Sequence, residues 1–415
     1  MTSPGRTLII GGGIAGTATA LALHKAGRQV TVFEAHPRTA QDIGAFLTLA
    51  SNGMRALMQL DAAEAVAAVG FRLTGMRVVD ATGTEVAKAP LGEHDHPLAA
   101  YRCLRRADLT LALQTEARRR GIEIRHGARL TSIAEDAASV TATFADGSTA
   151  TGDLLIGADG LNSVTRSLID PAAPGPHYAG QRVFYGYTTD AAPPGDPEQI
   201  TFVRGSAATV GYLVSPTGET FWFARVTGDA ASAREIAETT PAQWRDHLVP
   251  LLRRDPTPAA DIVAATGTDL MLTNAWDLPP GVRWCSHRTV IIGDAAHAAS
   301  PATGQGASMA LEDAIVLVKS LRETAPIDAA LARYDRLRRP RVEHNIAVSA
   351  QLTAAPSQPK NTGEPERKNQ PENTDHPPHP TVPANQHQNQ GPQQRSSHPD
   401  EDLIRLLTWD NELPD

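Results

Sequence analysis

Apolar residues at the start of the chain follow the order strand, turn, helix and strand. Residues 7–10 form a short, nearly uninterrupted apolar run, which is typical of a strand buried on both faces. A helix is predicted from the glycines that follow to about Lys25, with Gly27 ending it and a second strand over 29–33. Arg6 before the apolar run also suggests a secretory signal, but the strand, turn and helix account for the stretch better.

The turn in this unit carries a G-x-G-x-x-G motif made by Gly11, Gly13 and Gly16, and Glu34 ends the second strand about twenty positions on. In this motif the first glycine permits the tight turn, the second lets a pyrophosphate approach the backbone, and the third lets the helix pack on the strand. The helix N-terminus offers free N–H groups to the phosphates, and Glu34 can accept hydrogen bonds from a ribose diol. The pattern predicts dinucleotide binding, with a plain glycine-rich turn as the alternative.

Strands and helices continue to alternate beyond this unit, as in a doubly wound α/β domain. An Asp-Gly hairpin turn at 146–147 separates strands of alternating polarity, and Gly121 ends the helix before them. The predicted elements are helices over 52–70, 106–120, 307–321 and 327–351, and strands over 101–104, 122–124, 153–157 and 289–292.

Aromatic residues mark a different segment between residues 180 and 275. Four short strands predicted there indicate an antiparallel sheet rather than another nucleotide fold: 182–188, 200–203, 209–214 and 220–226. Because side chains alternate along a strand, Tyr185 and Tyr187 share one face, whereas Trp222 points away from its neighbours. These aromatics either contact a substrate or simply fill a core. The candidate substrate contacts are Tyr185, Tyr187, Arg204, Tyr212 and Trp222.

A second glycine-rich segment follows the last predicted strand. Asp294 lies at the carboxyl end of that strand, where a carboxylate can accept hydrogen bonds from polyol hydroxyls. The loop through Gly304 and Gly306 leads into a helix, and the amides at a helix start can stabilise an anion. His297 is either a catalytic base or a structural residue beside the strand end, and we favour the structural interpretation.

Composition narrows the class of protein. The 415 residues are 41% hydrophobic, enough for two or three domains with a sizeable core. A net charge of −8 argues against nucleic acid or an acidic membrane as a partner. The two cysteines, Cys103 and Cys285, are too few for a disulfide scaffold, a zinc site or a dithiol redox pair. No apolar run is long enough to span a bilayer, and we expect a cytoplasmic protein that uses no metal.

The C-terminal part of the chain differs from the rest. Residues 353–415 carry ten acidic and five basic side chains, and ten of the 31 prolines lie within 356–399. Val382 is the only branched aliphatic residue of that proline-rich stretch, which therefore buries too little apolar surface to order its backbone. We predict a disordered linker over 353–400. Leucines at helical spacing in 401–415 predict a short segment that docks on a protein partner, folds back on the body, or remains frayed.

Three motifs, taken together and in order, resemble those of the single-component FAD-dependent aromatic hydroxylases, a family that includes salicylate, 3-hydroxybenzoate and urate hydroxylases and, nearby, zeaxanthin epoxidase. The motifs are GGGIAG with Glu34, GADGLNSVTR at 157–166 and GDAAHAASPATGQGASMALEDA at 293–314. The resemblance covers about residues 5–350. It implies an α/β fold with a Rossmann-type FAD-binding domain, an interleaved antiparallel β-sheet substrate domain and a C-terminal helix; the disordered tail, predicted above from composition, lies outside it. The boundaries are 1–175 and 281–352 for the FAD-binding domain, 176–280 for the substrate domain, 353–400 for the linker and 401–415 for the amphipathic end.

The resemblance also implies which residues hold FAD. The glycine motif and Glu34 would hold the ADP half, and Arg106 of an R-x-x-L pattern would approach the flavin. In the family, Asp159 is linked to both FAD placement and NAD(P)H use, and Asp294 would bind the ribityl and pyrophosphate region. The full set is Gly11, Gly13, Gly16, Glu34, Gly44, Arg106, Leu130, Asp159, Asp294, Gly304, Gln305, Gly306 and Ala307.

The activity implied by the resemblance is hydroxylation of an aromatic or polycyclic small molecule through a flavin C4a-hydroperoxide, with O2 and NADPH or NADH consumed. Consistently, no second G-x-G-x-x-G marks a separate nicotinamide domain. Epoxidation of an alkene or quinone-like ring is the alternative, because His247, the only histidine of residues 180–275, lies in a predicted surface helix, which leaves few groups that could deprotonate a phenol. A non-catalytic FAD-binding partner protein is an alternative of another class. We name no catalytic residue, and we expect a monomer or a homodimer.

Overall fold

The computed structural model describes residues 5–39, 44–93, 96–354 and 401–414. These residues form strands and helices arranged as several sheets with helices between them. The strands are β1 (Arg6–Ile10), β2 (Gln29–Glu34), β3 (Phe46–Leu49), β4 (Phe71–Arg72), β5 (Gly75–Asp80), β6 (Glu85–Pro90), β7 (Arg102–Arg105), β8 (Glu123–His126), β9 (Leu130–Glu135), β10 (Val140–Phe144), β11 (Thr149–Gly152), β12 (Leu154–Gly157), β13 (His177–Thr188), β14 (Gln199–Arg204), β15 (Thr209–Val214), β16 (Thr220–Thr227), β17 (Leu270–Asp277) and β18 (Thr289–Ile291).

Twelve α-helices are described, together with short 3₁₀ turns at Pro97–Ala99 and Pro301–Thr303. The helices are α1 (Ile14–Lys25), α2 (Ser51–Gln59), α3 (Ala63–Ala67), α4 (Arg106–Arg119), α5 (Val164–Ile169), α6 (Ala233–Glu238), α7 (Pro241–Leu252), α8 (Ala259–Ala264), α9 (Asp294–His297), α10 (Gly306–Glu323), α11 (Ile327–Ala354) and α12 (Glu401–Leu407).

A five-stranded parallel sheet in the order β18-β12-β1-β2-β8 forms the centre of the first domain. Its inner strands are continuous apolar runs because helices cover one face and the small sheet β11-β10-β9 covers the other. The apolar faces of α1, α2, α4, α10 and α11 share one buried cluster with these strands. The predicted Rossmann-type fold is therefore confirmed.

A seven-stranded sheet in the order β17-β13-β16-β15-β14-β5-β6 forms the second domain. Strands β13 to β17 are antiparallel, as predicted for residues 180–275. The sheet also takes in β5 and β6 from the first part of the chain, and β5 pairs parallel with β14. Helices α7 and α8 cover one face of this sheet, and the other face turns toward the small sheet β3-β7-β4.

One predicted helix is divided. The single helix predicted over 52–70 is two helices, α2 and α3, because Asp61 adopts a left-handed conformation with φ +54° that no α-helix continues through. The predicted helix over 327–351 is confirmed as α11, although it extends to Ala354 and so includes the first two residues of the predicted linker. Residues 355–400 lie outside the described part of the chain.

The C-terminal segment, residues 401–414, packs against the first domain. Leu407, Trp409 and Leu413 are buried in the same cluster as α1, α2 and α10. Of the three outcomes considered for this segment, the structure shows the fold-back on the body. Within the described ranges, no helix combines the length and the apolar character needed to cross a bilayer.

Candidate active site

The glycine-rich turn between β1 and α1 is packed tightly at two positions and open at the third. A Cβ on Gly11, which has φ +105°, would lie 2.3 Å from the carbonyl oxygen of Ala158, and a Cβ on Gly16 would lie 1.9 Å from the carbonyl oxygen of Gly11. A Cβ on Gly13 would meet nothing within 4 Å. The turn thus needs glycine at its ends for packing, while Gly13 borders free space at the start of α1.

Glu34 anchors this turn from the end of β2. Its Oε2 accepts a hydrogen bond of 2.7 Å from the amide of Gly12, and its Oε1 accepts one of 2.8 Å from the amide of His36. Burial alone would raise the pKa of Glu34, but these hydrogen bonds and the neighbouring His36 ring lower it below its usual value. The carboxylate is therefore ionised, and lone pairs remain to accept hydrogen bonds from hydroxyls.

The Asp-Gly motif after β12 is held by its own side chain. Asp159 accepts hydrogen bonds from the Ser163 hydroxyl at 2.6 Å and from the Thr165 amide at 2.9 Å, which fixes the start of α5. The buried Arg166 of the same motif donates to the carbonyl oxygens of Leu161 at 2.8 Å and Ala295 at 3.0 Å. Arg166 thus ties the second motif to the third.

The third motif brings an exposed carboxylate and a helix start to the same region. Asp294 opens α9 directly after Gly293, whose φ is +58°, and its side chain is exposed. Gly304, with φ +65°, turns the chain into α10, and a Cβ there would lie 3.3 Å from the Thr48 hydroxyl oxygen. Gln305 precedes the helix and accepts a 3.1 Å hydrogen bond from Asn52. The first-turn amides of Gly306 and Ala307 have no partner within the helix, so this loop can bind an anion.

A buried charge network supports this loop from below. Asp313 Oδ2 accepts a 2.9 Å hydrogen bond from the Gly293 amide and lies 2.6 Å from His297 Nε2, while Asp313 Oδ1 accepts one of 2.8 Å from Arg338. Arg338 also donates to Glu312 at 2.5 Å. Burial alone would raise the pKa of Asp313, but the charges of His297 and Arg338 outweigh it and hold that pKa below its usual value. The structure places His297 inside this network, in agreement with the structural interpretation.

One face of the seven-stranded sheet is a wall of aromatic rings. Phe46 of the neighbouring strand β3 contacts four of these rings. Its ring centroid lies 6.1 Å from that of Tyr185, 6.3 Å from Tyr187, 5.6 Å from Phe221 and 6.2 Å from Phe223. Because Thr48 of the same strand borders the Gly304 turn, the aromatic wall adjoins the start of α10.

Backbone contacts join this wall to the first domain. The Tyr187 hydroxyl donates a 2.7 Å hydrogen bond to the carbonyl oxygen of Gly44, and the Arg106 amide donates one of 3.0 Å to the carbonyl oxygen of Ala45. The Arg106 side chain is exposed. The guanidinium carbon of Arg105 lies 3.9 Å from the Tyr187 ring centroid. Gly44, Arg106, Tyr185 and Tyr187 therefore lie in one region.

The structure does not bring every candidate to that region. Trp222 and Tyr212 lie on the opposite face of the sheet, where the Trp222 Nε1–H donates to the Thr266 hydroxyl at 2.9 Å and the Tyr212 hydroxyl to the Pro194 carbonyl at 3.1 Å. Leu130 begins β9 with its side chain buried between the parallel sheet and the small sheet. Arg204 ends β14 with an exposed side chain.

Several residues at this wall were not among the sequence candidates, and Phe46 and Arg225 are two of them. Phe46 follows Gly44 by two positions, yet nothing in its local pattern indicates that it contacts a strand 140 positions away. Arg225 belongs to the wall because it continues the alternation of Phe221 and Phe223 along β16. That alternation is readable in the sequence and could have identified Arg225.

Comparison with known proteins now assigns this architecture. A family model described as FAD binding domain matches residues 5–349. The aurachin C monooxygenase/isomerase of Stigmatella aurantiaca is 30% identical over 83% of this chain and 88% of its own length. The 3-amino-4-hydroxybenzoate 2-monooxygenase of Streptomyces cremeus is 31% identical over 87% of this chain and 91% of its own length.

A solved structure agrees with these relatives. Klebsiella pneumoniae HpxO, complexed with FAD and uric acid, superposes with a TM-score of 0.73 at 27% identity, covering 84% of this chain and 87% of that one. Its agreement with the family match supports FAD as the cofactor. The chain therefore belongs to the FAD binding domain family and, as its resemblance to the FAD-dependent aromatic hydroxylases implied, is an FAD-dependent monooxygenase.

Proposed function

We propose that this enzyme uses NADPH or NADH and O2 to insert one oxygen atom into an aromatic or polycyclic small molecule, by the C4a-hydroperoxide route that the family resemblance implies. The observation that carries the proposal is the aromatic wall around Phe46, which adjoins the glycine turn at the start of α10. An aromatic ring packs well against such a wall through offset and edge-to-face contacts.

The residues present fit FAD. The free space at Gly13, the ionised carboxylate of Glu34 and the exposed carboxylate of Asp294 suit a pyrophosphate, a ribose diol and a ribityl chain in turn. When bound, the flavin accepts electrons from the nicotinamide and activates O2, chemistry that belongs to the cofactor. Gly304 and the first turn of α10 would lie along the pyrimidine edge of the flavin, where the helix dipole favours negative charge.

The second domain would supply the dry surroundings that oxygen transfer needs. Tyr187 and Phe221 are buried, and their rings pack 4.8 Å apart at 88° on the wall. A site closed by such rings excludes water from the reacting atoms. Tyr185, Phe223 and Phe202 are only partly buried on the same face, which leaves them able to contact a substrate ring.

We favour hydroxylation over epoxidation. The relatives from Streptomyces cremeus and Klebsiella pneumoniae are named for hydroxylation of 3-amino-4-hydroxybenzoate and urate, whose rings are electron-rich. Tyr185 offers a hydroxyl at the wall for such a ring. Burial raises the pKa of Tyr185 to about 12 despite the opposing charges of Arg225 and Arg106, so this hydroxyl is protonated at neutral pH.

Gly13→Ala tests the assignment of the glycine turn. A methyl group at this position meets no protein atom within 4 Å, so we expect the apoprotein to fold with an unchanged melting temperature. The same methyl would occupy space that we assign to the pyrophosphate, and we expect FAD affinity to fall at least about tenfold, or about 1.4 kcal/mol. Isothermal titration of the apoprotein with FAD measures this change.

Gly16→Ala is the matched control. Its methyl group would collide with the carbonyl oxygen of Gly11 at 1.9 Å, so this variant should lose apoprotein stability as well as FAD affinity. If Gly13→Ala bound FAD as tightly as the parent protein, Gly13 would not border the pyrophosphate.

Steady-state assays test the activity itself. The FAD-loaded enzyme should oxidise NADPH or NADH, and the rate should rise when an aromatic such as 3-amino-4-hydroxybenzoate or urate is added. A protein that binds FAD but is never reduced by either nicotinamide, across a broad aromatic panel, would instead be the non-catalytic FAD-binding partner. An oxirane product would establish the epoxidase.

A further inference from the structure

Arg225 lies on the aromatic face of the second domain. Along β16, Phe221, Phe223 and Arg225 alternate with residues that point to the other face. The register of the sheet places Arg225 opposite Val183 of β13, one step along from the pair formed by Phe223 and Tyr185. At this diagonal spacing long side chains on neighbouring strands reach one another.

The guanidinium of Arg225 has no anionic partner in the described part of the chain. Its Nε is buried without a hydrogen-bond partner, and the centroid of the Phe223 ring lies 5.7 Å from the guanidinium carbon. Burial lowers the pKa of Arg225, although arginine remains charged throughout the usual pH range. A partly buried charge without a partner is costly, so its retention needs a reason.

Other arginines of the same sheet are paired with carboxylates. Arg182 donates to Glu235 at 2.9 Å, and Arg77 donates to Glu85 at 2.8 Å. Arg105, which reaches the wall from β7, donates to Glu219 at 2.7 Å. Arg204 and Arg225 both pair with Thr209 of β15, so their side chains lie on the same face of the sheet. The Arg204 side chain is exposed, however, and water can solvate it. Arg225 alone in this comparison combines burial with an unpaired charge.

Tyr185 offers a second polar group beside Arg225. Its ring is on the same face, and its hydroxyl makes no hydrogen bond to any residue that the structure describes. The charges of Arg225 and Arg106 both act on this hydroxyl. A donor hydroxyl and a guanidinium at one end of an otherwise apolar wall are the arrangement that fixes the polar end of a ring-shaped ligand.

We propose that Arg225 binds an anionic group of the aromatic substrate, with the Tyr185 hydroxyl as a second donor, so that this enzyme selects aromatic acids over their neutral analogues. The proposal rests on the proposed function for the location of the substrate. A planar guanidinium forms two parallel hydrogen bonds with a carboxylate and also matches the delocalised anion of an acidic heterocycle. The ring of the substrate would lie against Phe46 and Phe223.

Ligand binding tests this inference without turnover. The FAD-loaded protein is titrated with 3-amino-4-hydroxybenzoate and with the neutral 3-amino-4-hydroxybenzamide, and binding is followed by the perturbation of the flavin absorbance. The acid should bind the parent protein more tightly. Arg225→Gln should weaken acid binding about tenfold to a hundredfold and leave amide binding unchanged, which abolishes the preference. Arg225→Lys should recover part of it.

Two comparison variants and one further readout sharpen the test. Arg204→Gln removes the exposed arginine on the same face of the sheet, and Arg254→Gln removes an exposed charge outside the sheet. Both variants should still bind the acid more tightly than the amide. The FAD content of Arg225→Gln should equal that of the parent. Loss of FAD from this variant, loss of the preference in Arg204→Gln instead, or amide binding as tight as acid binding in the parent would each overturn the proposal.

The failure of the proposed function gives a different result. If neither nicotinamide reduces the flavin but the acid still binds in an Arg225-dependent way, the anion site stands and the monooxygenase reaction does not. If the nicotinamide is oxidised with aromatic stimulation but the acid preference survives Arg225→Gln, the reaction stands and the anion site does not.

Discussion

Asp313→Ala should lower the free energy of unfolding by about 3–5 kcal/mol, because it leaves a buried arginine with one of its two carboxylates removed. Arg338 and Asp313 are both fully buried, and they are joined at 2.8 Å. The variant also removes the acceptor for the Gly293 amide and the partner of His297. Since an ordinary domain is stable by only about 5–15 kcal/mol, this loss is a large part of the total.

Chemical denaturation of the parent and the variant measures the effect. Asp335→Ala is the control, because Asp335 also pairs with an arginine, Arg339 at 2.6 Å, but in a partly exposed i,i+4 pair on α11. Such pairs contribute about 0.3–0.5 kcal/mol. If both variants lost the same free energy of unfolding, the buried network would contribute no more to stability than the partly exposed ion pair. Glu312→Gln, which weakens the same network without removing a side chain, keeps the test open if Asp313→Ala does not accumulate.

Deletion of residues 401–415 should lower the melting temperature markedly, because the segment completes the core of the first domain. Trp409 is only 9% exposed and its amide donates a 2.9 Å hydrogen bond to Gln59. Lys319, fully buried on α10, donates to the carbonyl oxygens of Leu406 at 2.9 Å and Thr408 at 2.6 Å. The deletion therefore uncovers apolar surface and removes both acceptors of a buried ammonium group.

Trp409→Ala within the full chain isolates the largest contact. Truncation of a buried tryptophan usually costs about 3–5 kcal/mol of stability. In this variant the loss cannot exceed the free energy with which the C-terminal segment docks on the first domain, because the segment can detach. Arg405→Gln is the control, since Arg405 lies on the exposed side of α12 and should change stability by less than about 0.5 kcal/mol. Differential scanning calorimetry compares these variants with the deletion. An unchanged melting temperature in Trp409→Ala and in the deletion would mean that the segment does not dock in solution.

Local signals explain what could be predicted from the sequence. The strand, glycine turn and helix around Gly11, Gly13 and Gly16 are encoded within thirty residues, and β1, α1 and β2 form where the pattern predicts them. Gly293 and Gly304 mark turns whose positive φ angles the third motif requires. The parallel sheet could also be predicted, because short apolar runs alternate with predicted helices along the chain.

Contacts between distant segments could not be predicted in the same way. Nothing local shows that β5 pairs with β14, which lies more than a hundred residues later in the chain. Alternation correctly separates Trp222 from Phe221, but it does not show which face of the sheet meets the first domain. The sequence therefore includes Trp222 and Tyr212 among the candidate substrate contacts, although helices α7 and α8 cover their face. The pairing of His297 with Asp313 likewise depends on how α9 and α10 pack.

Isotope labelling tests the central claim most directly. The FAD-loaded enzyme is supplied with NADPH or NADH and an aromatic acid that stimulates nicotinamide oxidation, under 18O2 in ordinary water, and the product is analysed by mass spectrometry. We predict a hydroxylated product that carries one 18O atom from O2, formed with consumption of one nicotinamide. A product oxygen that comes from water, or nicotinamide oxidation that yields only H2O2 with every aromatic tried, would contradict the account.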